Sequence, residues 1–167
     1  FFKNTKINIG SARSGNVIGG GDWTQDRIVP DCLSSFSKNK KLIIRYPKSI
    51  RPWQHVLEPL YGYLLLAEKM YSHEGSKYSQ AWNFGPKKEN NTNVYKLAIK
   101  LKKITNSKSK IITSKLKNFS EARYLYLDSS KSMKLLKWKK MLNLKQTLNL
   151  INEWHQAFLK NKDLRKM

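Results

Sequence analysis

The sequence predicts an α/β fold, on three observations. Short apolar runs of strand length alternate with longer segments whose apolar residues recur at helical spacing. Stretches marked by Gly and Pro separate the two kinds of segment. Hydrophobic residues make up 40% of the 167, including five Trp, eight Tyr and six Phe, which is enough to build a core. That composition excludes wholesale disorder, and the length fits one unit, residues 1–167.

Lys6-Ile7-Asn8-Ile9-Gly10-Ser11-Ala12 alternates as a strand does. Ser14 to Trp23, with Gly15, Gly19, Gly20 and Gly21, reads as a loop. Asp26 is placed to cap a helix running through Ser37, with Pro30 tolerated in its first turn. Leu42–Arg45 is a short strand, and Tyr46-Pro47-Lys48 a turn. Pro59 opens a helix over Leu60–Tyr71, with an apolar face at Leu60, Leu64, Ala67 and Tyr71. Gln80–Phe84 reads as a strand stopped by Gly85-Pro86, and Val94–Ile104 as a basic amphipathic helix. Ile111-Ile112-Thr113 and Leu125-Tyr126-Leu127 read as short strands. Asp128 or Ser129 caps a short helix through Leu136. Leu144, Leu148, Ile151, His155 and Phe158 mark a last helix.

The net charge is +22. Of the 33 Lys and Arg residues only six are Arg, and Arg13, Arg27, Arg45 and Arg51 fall in the first third, beside Gly- and Pro-marked segments. Scattered Lys is a solvated surface. Arg clustered beside Gly suits phosphate or carboxylate, because guanidinium binds such groups bidentately. A basic nucleic-acid-binding module is the rival reading. Against it, the Lys-rich stretch Lys96–Lys117 has only Tyr95 for base stacking and no Arg, so no specific nucleic-acid partner is expected. The single cysteine, Cys32, excludes an internal disulfide framework. The longest apolar run, around Leu60–Met70, falls short of the about 20 residues a bilayer span needs. A cytoplasmic protein with no membrane partner is therefore expected. The start at Phe1-Phe2-Lys3 gives the expectation of a truncated or split polypeptide.

Three segments carry chemistry. Gly15-Asn16-Val17-Ile18-Gly19-Gly20-Gly21-Asp22-Trp23 matches neither a dinucleotide fingerprint nor a Walker A loop. Its glycines suit either a close backbone approach to a ligand or a tight connection, and the Asn16 amide can donate to and accept from a polar ligand. Arg51-Pro52-Trp53-Gln54-His55-Val56, with Arg45 upstream, presents stiff guanidinium groups that suit a diphosphate. Trp53 can pack on a base or sugar, or simply fill the core. His55 lacks an adjacent nucleophile or carboxylate pattern and reads as structural. Trp82-Asn83-Phe84-Gly85-Pro86 is a strand end carrying a polar residue, where binding groups or caps sit. No metal site and no catalytic residue is predicted.

Together with Asp26-Arg27-Ile28-Val29-Pro30-Asp31, Val56-Leu57-Glu58-Pro59-Leu60 and Leu127-Asp128-Ser129-Ser130-Lys131, these segments resemble the extended short-chain dehydrogenase/reductase family, in its CDP-glucose 4,6-dehydratase branch. The strings fall in the family's order over nearly the whole chain. The resemblance implies the C-terminal part of such an enzyme: the last Rossmann strands plus the small substrate-binding lobe, without the N-terminal nucleotide-binding half. It implies CDP-glucose or a similar nucleotide sugar as ligand and NAD as cofactor, held mainly by that other half. The implied reaction oxidises sugar C4, eliminates water across C5–C6 and returns hydride to C6, giving a 4-keto-6-deoxy sugar for deoxysugar and O-antigen synthesis. Matched by position, Asn16 contacts the sugar or diphosphate, and Arg27 lies near the phosphates. Arg45 and Arg51 flank the nucleotide and diphosphate, Asn83 lies near the nucleotide, and Gly15 meets the nicotinamide through backbone.

Other features depart from the pattern. The G-x-x-G-x-x-G and the proton-moving Tyr-x-x-x-Lys of the family are absent from the sequence. The chain alone is therefore expected to be silent, with a separately encoded N-terminal half as one partner and homo-oligomerisation implied for the whole enzyme. Another nucleotide-sugar epimerase or dehydratase of the same family is the alternative. Ser120 replaces the family's His before Glu121-Ala122, and Lys137 replaces a Gly before Trp138, which predicts a looser turn there.

Overall fold

A computed structural model describes residues 7–86, 91–114 and 122–166. Strands and helices alternate as expected, and three of the four strand pairs are parallel. β1 (Ser11–Ser14) pairs with β6 (Ala81–Phe84), β2 (Asn16–Ile18) with β5 (Trp53–His55), and β3 (Leu42–Ile44) with β8 (Ile111–Thr113). β4 (Ile50–Arg51) runs antiparallel to β7 (Thr92–Asn93). The helices are α1 (Ile28–Ser37), α2 (Leu57–Tyr71), α3 (Val94–Ile104), α4 (Ser130–Leu135) and α5 (Leu144–Leu159).

Two buried clusters hold these elements. The larger joins α1, α3 and α5 to β2, β3 and β5 through Ile18, Val29, Cys32, Phe36, Ile44, Trp53, Leu97, Leu101 and Ile151. The smaller sits between α2 and β6 and contains Leu66, Trp82, Phe84, Leu136 and Trp138. Phe84 meets Tyr63 and Trp138 edge-on, at ring-centroid distances of 5.5 Å each.

Several expectations need correction. The first strand begins at Ser11, not Lys6: Lys6 lies outside the described residues, and β6 offers partners only from Ser11 onward. The expected loop contains β2, because the β5 backbone is there to pair with it and tertiary pairing overrides glycine content. Asp26 does not cap α1. It sits at φ +64, Arg27 holds the N-cap position without a side-chain bond, and Pro30 does lie in the first turn. Leu125–Leu127 is not a strand, although Tyr124 bridges to Ile50. Asp128, not Ser129, bonds the start of α4, through the Ser130 N–H at 2.9 Å. The turn before Trp138 forms despite the missing Gly, with Lys137 at φ +56. Ser120 and Glu121 lie outside the described residues, as does Lys115–Lys117 of the Lys-rich stretch.

The largest departure concerns α2. Its expected apolar face points outward, with Leu64 70% and Tyr71 95% exposed. The buried positions are Glu58, Pro59, Gly62 and Leu66. Gly62 lies against Phe84, where a Cβ would come within 2.3 Å of the ring. The Glu58 side chain, 3% exposed, accepts the backbone N–H groups of Met141 and Leu142, while its carbonyl accepts Trp138 Nε1 at 3.1 Å. Helical periodicity therefore locates a face that this body does not cover. β1 repeats the theme: Ser11, Ala12 and Arg13 are exposed, and among the described residues β1 is paired along one edge only. Parallel strands normally lie inside a sheet covered on both faces.

Candidate functional site

β2, the end of β3 and the start of β5 border one cavity of about 540 Å³. Its size falls in the range of small-molecule sites, roughly 300–1,000 Å³. β1 and β2 contribute Ser14, Gly15, Asn16 and Ile18, and α1 contributes its first turn. β3 and the turn after it bring Arg45 and Tyr46, β4 brings Arg51, and Trp53, Val94 and Leu125 close the apolar side. Five of the six predicted site residues thus meet here: Gly15, Asn16, Arg27, Arg45 and Arg51. Asn83 does not join them. It lies on β6 beside β1, and its Nδ2 donates to the Asp128 carbonyl at 2.9 Å.

The three guanidinium groups sit differently. Arg51 is 7% exposed and donates from Nη1 to the Ile50 carbonyl at 2.8 Å. Arg27 is exposed at the rim and pairs with Asp22 at 3.3 Å. Arg45 pairs with Asp26 at 3.1 Å and also donates to its carbonyl. Three carboxylates at the cavity, Asp22, Asp26 and Asp31, were not read from the sequence as site residues. Burial pushes Asp22 upward, but hydrogen bonds from Thr24 and Arg27 outweigh it and hold this carboxyl below its ordinary value. Asp31 is pushed up, by burial and then by Asp26. Exposed Arg–Asp pairs contribute at most about 1 kcal/mol. An anionic ligand can therefore take over both guanidinium groups at small cost.

Other sequence features prove structural. Trp53 belongs to the core and donates its indole N–H to the Thr92 carbonyl at 3.0 Å, so it lines the cavity without standing free to stack. The glycine run is explained by neighbours in the protein. A Cβ at Gly15 would lie 2.6 Å from the Pro52 carbonyl oxygen, and one at Gly20 would lie 2.4 Å from the Trp154 ring. His55 is buried, with Nδ1 accepting the Leu57 N–H at 3.3 Å. Among the described residues no group of three or more His, Cys, Asp or Glu could hold a metal, and no helix is long and apolar enough to cross a membrane.

His55 and His155 are both buried, and burial lowers both below the ordinary value of 6.5. The unfolded chain then binds protons more readily than the folded one. The contribution of these neutral rings to stability is complete above about pH 6.5 and is lost as pH falls toward their lowered folded values. Denaturant midpoints at about pH 5 and about pH 7.5 should show the lower stability in acid. A double variant, His55→Gln with His155→Gln, should flatten that difference; an unchanged difference would count against this cause.

The mostly parallel α/β fold is similar to that of solved epimerases. Over 99% of its length the chain matches an epimerase from the methanogen Methanothermobacter thermautotrophicus, with a TM-score of 0.83 at 18% identity, covering 48% of that structure. It also matches UDP-glucuronic acid 4-epimerase from Bacillus cereus, solved with UDP-glucuronic acid and NAD. There the TM-score is 0.78 at 18% identity, over 94% of this chain and 48% of that one. In sequence the chain is a relative of CDP-glucose 4,6-dehydratase from Salmonella typhimurium, 44% identical over 158 residues. That match takes in 95% of this chain and 44% of the relative, so the chain spans less than half of the relative's length. No protein-family model matches the chain.

Proposed function

We propose that residues 1–167 act as the substrate-binding portion of a CDP-glucose 4,6-dehydratase, gripping the diphosphate and sugar of CDP-glucose in the cavity between β2, β3 and β4. The observation that carries this reading is the convergence of Asn16, Arg27, Arg45 and Arg51 on one cavity, in a chain 44% identical to such an enzyme. On ligand binding, Arg27 and Arg45 exchange Asp22 and Asp26 for diphosphate oxygens. Arg51, fixed in β4, supplies a third positive charge from below, and the Asn16 amide orients the sugar or its phosphate. Charge-assisted bonds of this kind are about twice as strong as neutral ones.

NAD supplies the hydride chemistry of the proposed reaction. The sequence has no G-x-x-G-x-x-G, and of the residues present Gly15, at the cavity wall against Pro52, is the one expected to meet the nicotinamide through its backbone. We assign NAD, and the acid/base groups of the dehydration, to a dinucleotide-binding half. That half, continuous with this chain or separately encoded, is placed on the open edge of β1 and the outward face of α2. The exposure of Leu57, Leu60, Leu64 and Tyr71 in a row supports this placement.

Calorimetric titration of the 167-residue chain with CDP-glucose should show saturable binding. With NAD and CDP-glucose together the chain alone should show no turnover. Adding the unmatched part of the Salmonella enzyme as a separate polypeptide should bring 4-keto-6-deoxy product. Turnover by the chain alone would overturn the division of labour, and absence of binding would overturn the cavity assignment.

A further inference from the structure

We propose that Trp154 and Phe158, on α5 and outside the cavity, are positioning residues for it: they clasp the glycine run and Trp23, and so fix where Arg27 presents its guanidinium. The inference rests on the reading of the cavity as a diphosphate-sugar site.

The contacts form a continuous chain from α5 to the rim. Trp154 and Phe158 lie one helical turn apart and stack, with ring centroids 5.7 Å apart and planes 5° from parallel. The Trp154 ring lies directly over Gly20, where a Cβ would approach to 2.4 Å, and continues over Gly21 at φ +74. Trp23 folds down on the same pair, 4.7 Å from Phe158 and 6.0 Å from Trp154 between centroids. Asp22 lies between these two fixed points, lines the cavity and holds Arg27 at 3.3 Å.

Two features argue that the clasp serves the site and not only the core. Trp23 is 56% exposed and Phe158 42%, so the ring stack contributes less burial than a core residue of that size would. α5 is anchored independently, through Leu148 and Ile151 in the large cluster and a capping box at Asn143. With His155 and Ala157 also buried on α5, the Trp154 and Phe158 rings add little to holding the helix and much to holding the loop. Aromatic pairs of this geometry add about 0.5–1.5 kcal/mol each beyond burial, enough to select one loop position.

The test uses the full chain and three variants: Trp154→Leu, Trp154→Phe and Phe158→Leu. Hydrogen exchange should be faster at the amides of residues 19–23 in Trp154→Leu and Phe158→Leu, and unchanged in the α5 amides around Leu148. CDP-glucose affinity should fall about tenfold in both, the effect of removing one charge-assisted hydrogen bond. Trp154→Phe keeps a ring over Gly20 and should restore both readouts to within about threefold of the parent. Unchanged exchange at residues 19–23, or faster exchange spread through α5, would overturn the clasp. Faster loop exchange with unchanged affinity would overturn its role in positioning Arg27. Should the parent chain bind no CDP-glucose, the site reading fails separately, and the exchange data alone decide whether the clasp exists.

Discussion

Glu58→Ala is expected to cost about 2–6 kcal/mol of folding stability, since it orphans two buried N–H groups at about 1–3 kcal/mol each. In sequence the residue is an ordinary acid in the first turn of a helix. In the fold its carboxylate is buried and takes the Met141 N–H at 3.0 Å and the Leu142 N–H at 2.6 Å. Truncation leaves those two N–H groups without an acceptor in a site water does not reach freely. It also loosens the loop leading into α5, while the Trp138 indole keeps its bond to the backbone carbonyl of residue 58. Glu58→Gln keeps one acceptor oxygen and should cost less than half as much. Urea denaturation of the three proteins side by side measures both, and equal stability of parent and Glu58→Ala would refute the role.

Replacing Arg27 and Arg45 together by Ala is expected to weaken CDP-glucose binding on the order of 100-fold, each guanidinium contributing roughly tenfold. Stability should hardly change, since both side chains are more than half exposed and their pairs with Asp22 and Asp26 are surface pairs. Arg45→Lys should fall between parent and Arg45→Ala, because the charge remains and the two-pronged geometry is lost. Calorimetry with a melting curve for each variant separates the two effects. Loss of binding that only tracks loss of folding would contradict the assignment.

Much of this was legible in the sequence, for particular reasons. α3 and β8 fall where their periodicity and flanking residues put them, because local pattern and tertiary setting agree there. Five of the six site residues meet at the cavity; for Asn16 and Arg51 the neighbouring Gly15 and Pro52, packed on each other, set their place. What failed, failed where a distant residue decides. α2 turns its apolar row outward because Gly62 must meet Phe84 and Glu58 must reach Met141 and Leu142, and no local window contains those pairs. The glycine run suggests a ligand approach, yet Gly20 answers to Trp154, 134 positions away in sequence. Trp53 carries the ambiguity of any Trp near a site, and its indole N–H bond to Thr92 resolves it toward the core. The acids at the cavity were missed as site residues because Asp26 reads as a helix cap, Asp31 as a first-turn acid and Asp22 as a lone loop residue, each explained locally.

A crystal structure of the chain with CDP-glucose decides whether this cavity grips a sugar nucleotide through its diphosphate. Diphosphate oxygens are expected within hydrogen-bond distance of Arg27 and Arg45, displaced from Asp22 and Asp26, with Asn16 on the sugar side. CDP-glucose bound elsewhere on the chain, leaving Asn16, Arg27 and Arg51 untouched, would contradict that placement.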